Sequence, residues 1–159
     1  MDGPATFEEF FEANRRNLFG AFCLVTGNRQ EAEEIVQDAF LRIWERWDRV
    51  ATVEDPVGFL YRTAMNVFRN RARRAALAAR RSVGLASTAD DLTTVEHRDE
   101  LVRTLRTLTP RQRAALILTD YLEYSSEEAG RILQIRASTV RALSTKGRSA
   151  ARAVTEGSG

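Results

Sequence analysis

Arginines and aromatics alternate through residues 59–74, FLYRTAMNVFRNRARR: Phe59, Tyr61 and Phe68 sit among Arg62, Arg69, Arg71, Arg73 and Arg74. Cations neutralise phosphates while aromatic faces stack on unpaired bases, so the mixture suits a nucleic-acid strand. The plainer reading buries the rings and leaves the arginines in water. A second basic stretch closes residues 127–148, EEAGRILQIRASTVRALSTKGR. There Arg136, Ser138, Thr139, Arg141, Ala142, Thr145, Lys146 and Arg148 would face outward, while Val140 and Leu143 hold the helix against Ile132, Leu133 and Leu116. Two short helices in this order suit a helix-turn-helix. Lysine and arginine contact phosphates, and Ser, Thr or Arg reach base edges. The alternative is a solvated C-terminal helix with a basic outer face.

A third stretch, QEAEEIVQDAF at 30–40, turns Glu33, Glu34, Gln37 and Asp38 outward. Paired carboxylates can hydrolyse, but no base, nucleophile or ligand-rich pocket is placed with them. Phosphate-loop, dinucleotide and zinc-protease spacings do not occur. His97 is the single histidine and Cys23 the single cysteine, so the expectation is no enzyme, metal or cofactor and no internal disulfide. Cys23 lies in an apolar run and reads as a small buried hydrophobe. The apolar runs are short and broken by charge, which predicts no membrane span and a cytoplasmic place.

The net charge of +2 conceals alternating blocks. Residues 1–55 carry twelve acidic and six basic side chains; residues 56–89 carry seven arginines and no acid. Residues 90–128 are again acidic in balance, and 129–159 carry six basic side chains against one acidic. The basic blocks suit a polyanion; the acidic ones need another partner or are solvated.

The elements that would position these groups are helices. Thr6 and Glu9 have capping-box spacing, and Phe7, Phe10, Phe11, Leu18, Phe19 and Phe22 recur at helical intervals. A break falls at Thr26-Gly27-Asn28. Ala32, Ile35, Val36, Ala39, Phe40, Ile43, Trp44 and Trp47 then form one broad stripe. Pro56 starts the next helix. Residues 5–75 read as one small bundle, 76–98 as a flexible linker without a sustained apolar face, and 99–153 as a second domain of four short helices. The fold expected is all-α, in two lobes of variable separation.

Together these segments resemble bacterial extracytoplasmic-function sigma factors, the group 4, sigma-70-like factors, in an actinobacterial form. AEEIVQDAFLRIW is similar to the pattern AEDxxQxxFLxxW of the family's second region, matching at Ala32, Glu33, Gln37, Phe40, Leu41 and Trp44. Asn66 and Arg73-Arg74 match the end of that region. LTPRQRAALIL and the 125–152 segment resemble the fourth region, with Pro110, Arg113, Ser125, Glu128, Thr139, Val140, Arg148 and Arg152 at the expected spacing.

The resemblance implies a factor that directs transcription initiation. It implies binding to the clamp coiled coil of core RNA polymerase through Glu34, Gln37, Asp38, Arg42 and Trp44, and a second contact at the flap. It implies capture of the −10 strand by Tyr61, Asn66, Arg69, Arg73 and Arg74. It implies −35 reading by Ser138, Thr139, Arg141, Ala142, Thr145 and Lys146, with Arg148 on phosphate. Promoter DNA and an anti-sigma protein are the other partners it implies.

The chain departs from the pattern at several places. Ala129-Gly130 stands where Ile-Ala is usual, and Gly130 costs a helix roughly 1 kcal/mol against Ala. Gln134 replaces a usual Gly, and Arg136 a small polar cap, which Ser138 would then supply. Leu143 replaces a frequent Arg and Ser144 a core Leu, implying a slightly rotated helix that has lost a cation, while Gly147 weakens it. These departures leave open a second reading: a sigma-like adaptor that binds polymerase or a regulator without reading promoters.

Overall fold

A computed structural model describes residues 6–81, 105 and 107–157. Helix α1 spans Phe7–Thr26 and opens on a full capping box: Thr6 accepts from the Glu9 amide, and Glu9 accepts from the Thr6 amide. It ends at Gly27, whose φ of 71° belongs to a residue without Cβ. Asn28 then caps α2, Arg29–Glu45, so the break at residues 26–28 turns one helix back onto the other. Helix α3 is the short Trp47–Val50. Helix α4, Pro56–Arg81, begins where Asp55 accepts from the Gly58 amide.

In the second half, α5 spans Pro110–Leu116 behind a capping box of Thr109 and Gln112, and continues as one wide π turn, Ile117–Tyr121. Helix α6, Ser126–Leu133, is capped by Ser125, and α7 runs over Ala137–Gly157. The fold is all-α, with a first bundle of α1–α4 and a second of α5–α7.

The stripe foreseen on α2 is buried from Ala32 to Ile43, and there it stops. Trp44 is 58% exposed, because it falls on the outer face of α2 with Gln37 and Leu41 rather than on the face of Ile43. Trp47 instead closes the aromatic interior, its ring centroid 5.2 Å from Phe10 and 5.8 Å from Phe7.

Two expectations change, and part of a third lies outside the described residues. Helix α4 continues six residues past the boundary expected at residue 75, because RARRAALAARR contains nothing that breaks a helix. The rest of the expected linker, 82–98, and most of the segment leading to Leu108 lie outside the described residues. Nor do the bundles stand apart. One apolar core runs from Phe10 through Leu60 and Met65 to Leu118 and Val140. Helix α4 packs on α6 and α1 on α5, since each bundle leaves apolar side chains that the other covers.

Candidate nucleic-acid interface

Helix α4 lies across from the α2–α3 corner, and the space between them is a cleft of about 520 Å³. Arg42, Arg46 and Arg49 line it on one side, with Phe59, Arg62, Thr63 and Asn66 on the other; Glu45 is the one carboxylate among its lining residues. Four guanidiniums around an aromatic ring make a pocket for a phosphate backbone and a base. Arg46 and Arg49 were missed by sequence reading because their signal is tertiary: neither belongs to the run of residues 59–74.

The expected strand set divides. Asn66 lines the cleft, and Arg73 and Arg74 are exposed. Arg69 is partly buried, donating to Asn66 Oδ1 at 2.9 Å and to the Leu133 carbonyl at 2.7 Å. Burial first, then the nearby Arg111 and Arg73, lower its pKa. Tyr61 corrects the expectation. It is 3% exposed, packed edge-on to Tyr124 with centroids 6.0 Å apart, so its ring has no free face for a base. Burial, then Tyr124 and Tyr121, push its phenol well above the usual range. The i, i+3, i+4 spacing of Tyr61, Ala64 and Met65 marked it as core.

Beside this cleft the outer face of α2 carries Glu34, Gln37, Leu41 and Trp44, one helical stripe of exposed side chains. Leu41 is 54% exposed, an apolar partner for Trp44 one turn away; its spacing to Trp44 was the available signal. Asp38 holds Arg42 at 3.1 Å, and Glu34 is bonded to Arg71.

In the second bundle, α6 and α7 meet through Gln134, Ile135 and Arg136. Gln134 adopts φ 59°, ψ 43°, the left-handed conformation usual for Gly, and its amide donates to the Gly130 carbonyl. Gly130 itself is required. A Cβ there would lie 2.7 Å from the Ile135 carbonyl, so the close passage of the turn outweighs helix propensity. Helix α7 begins at Ala137, and Ser138 falls inside it rather than at its cap.

Val140, Ser144 and Gly147 all face inward, so the helix keeps its register and the rotation implied by Leu143 does not occur. Ser144 fills the inward position by bonding Thr119 at 3.1 Å, and Thr119 also donates to the Ala115 carbonyl. The opposite face presents Ser138, Arg141, Ala142, Thr145 and Lys146 to solvent, with Thr139 half-buried. Arg148, expected on phosphate, is engaged by both carboxylate oxygens of Asp120, at 2.9 and 3.2 Å, which also raises its pKa. Arg141 lies 3.5 Å from Glu127. No described helix is long and apolar enough to cross a membrane, and no metal-holding cluster occurs among the described residues.

Comparison with known proteins assigns the same halves. Residues 10–78 match the family model for sigma-70 region 2, and residues 98–150 that for sigma-70 region 4. The chain is 28% identical over 137 residues to the RNA polymerase sigma-E factor of Streptomyces avermitilis, covering 85% of this chain and 76% of that one. It is 28% identical to the ECF RNA polymerase sigma factor SigG of Mycobacterium tuberculosis over 90% of this chain, but spans only 47% of that protein. The sigma factor RpoE of Bartonella quintana, crystallised with the anti-sigma factor NepR, shares the fold with a TM-score of 0.81 at 19% identity, over 94% of this chain and 96% of that one. With a region 2 and a region 4 in that order, this chain belongs to the extracytoplasmic-function superfamily of sigma factors.

Proposed function

We propose that the chain is an alternative sigma factor that docks on core RNA polymerase, captures the −10 strand and reads the −35 duplex. It performs no covalent chemistry. The α2 stripe of Glu34, Gln37, Leu41 and Trp44 is the docking face for the clamp coiled coil, and the second bundle meets the flap. The cleft between Arg42, Arg46, Arg49, Arg62 and Asn66, extended by Arg69, Arg73 and Arg74, takes the unpaired strand. The exposed face of α7 enters the major groove through Ser138, Thr139, Arg141, Ala142, Thr145 and Lys146. The observation that carries this reading is that one chain presents a four-arginine cleft on its region 2 half and an exposed polar and basic helix face on its region 4 half. Streptomyces and Mycobacterium relatives support an actinobacterial type, and the RpoE–NepR complex supports an anti-sigma partner.

Reconstituted transcription on a promoter library, beside a core-binding assay, tests it. Transcripts sharing −35 and −10 sequences are expected. The adaptor reading is favoured by one observation: Arg141 and Arg148 of the reading helix already pair with Glu127 and Asp120. Tight core binding without any transcript would select it.

A further inference from the structure

We infer that the hollow where α4 faces α5, α6 and α7 binds a small amphipathic acid, an apolar chain ended by one carboxylate. The hollow holds about 370 Å³, within the range of roughly 300–1,000 Å³ usual for ligand sites. Met65 and Phe68 of α4, Leu133 of α6 and Leu143 of α7 give it apolar walls. Arg69 and Arg111 also line it, and no carboxylate does. The strand cleft, by contrast, includes Glu45. Two guanidiniums above an apolar floor select an anion that carries a hydrophobic body. A bare phosphate would pair with the cations but leave the walls uncovered.

Arg69 is positioned before any ligand arrives. It donates to the Leu133 carbonyl at 2.7 Å and to Asn66 Oδ1 at 2.9 Å, which fixes the plane of its guanidinium. Its other donors are left in a set direction, and a planar carboxylate matches that fork. Arg111 is exposed and makes no hydrogen bond or ion pair among the described residues. Burial first, then Arg111 and Arg73, disfavour the charge on Arg69. A carboxylate beside both guanidiniums would relieve that repulsion. The hollow also accounts for Leu143. An arginine, frequent there in the family, would put a third cation into the apolar wall. Leucine instead lies half-buried against the core. The departure that costs the reading helix a cation supplies this site with a wall.

Octanoate is the probe, and the full chain is the target. The chain has two methionines, Met1 and Met65, so a carbon–proton NMR spectrum of methyl-labelled methionine holds one reporter on the wall and one internal control. Octanoate should shift the Met65 methyl with a saturable midpoint and leave Met1 still. Arg111→Ala should weaken octanoate roughly tenfold and leave octanol unchanged. Ala72→Trp, at the mouth of the hollow, should block both. Both substitutions fall at exposed positions, so the fold is not at stake. No saturable shift of Met65 overturns the inference. Octylammonium shifting Met65 as readily as octanoate overturns it too, since the contact would then be apolar alone. Undiminished octanoate binding by Arg111→Ala removes the carboxylate from the site, and undiminished binding by Ala72→Trp removes the site from this hollow.

Discussion

Rings fill the interior between α1, α2 and α3: Phe7, Phe10, Phe11, Phe40 and Trp47 pack mostly edge to face, with Phe7 stacked on Phe11 and centroids 4.8 to 6.4 Å apart. Among the described residues, the interior under α7 holds no aromatic of that kind. It holds Val140, the hydroxyls of Ser144 and Thr119, and Gly147 against Leu108 and Leu116. The backbone differs in the same way. Among its described residues the first bundle has regular helices and a Gly at its one left-handed position. The second has a π turn, and left-handed residues at Glu123 and Gln134. The first bundle gains its stability from apolar volume. The second buries aliphatic side chains such as Leu118, Ile132 and Leu133 and adds close backbone passages and one buried polar pair, so small residues join its sensitive positions.

If that contrast holds, substitutions should sort by bundle. Ile43→Ala in the first, at a site with no solvent exposure, should cost about 3–4 kcal/mol by leaving a cavity. Urea denaturation followed by tryptophan fluorescence reads this directly, since Trp44 and Trp47 both belong to that bundle. In the second bundle, Gly130→Ala should cost about 1–3 kcal/mol although alanine is the better helix former, because the Ile135 carbonyl must move. A gain in its urea midpoint by circular dichroism would break the comparison.

Ser144→Ala should cost about 1 kcal/mol, tempered by the bond Thr119 keeps to Ala115. Combining it with Thr119→Val should recover part of the loss, and a double-mutant cycle would show whether the two hydroxyls act as a pair. The smallest effect expected is a gain: Gln134→Gly should stabilise by up to about 1 kcal/mol, because glycine adopts the left-handed conformation without a Cβ penalty. Thermal melts that leave it neutral would mean the greater chain entropy of glycine cancels the relief.

Much of the local structure was legible in the residues. The cap at Thr6 and the break at Gly27 are short-range chemistry, and each appears where its residues stand. The outward face of α7 followed from helical period alone. Tyr61 misled because an aromatic among arginines is the same letter pattern whether the ring stacks on a base or on Tyr124. The role of Gly130 was illegible too: its cost as a helix residue is local, while its necessity comes from the turn five residues on.

By itself, the sequence determined the helices, their caps and most of their faces, because hydrogen bonding and side-chain period act over three or four residues. It also determined the order of the two basic modules. Only the tertiary structure decided which cations are free. Arg46, Arg49 and Arg62 converge on a cleft with Arg42, which Asp38 holds at its rim, whereas Arg69, Arg113 and Arg148 are held by Leu133, Val25 and Asp120. Those partners lie up to 88 residues away along the chain. A charge is written in one letter, but its partner is set by the packing of helices far from it.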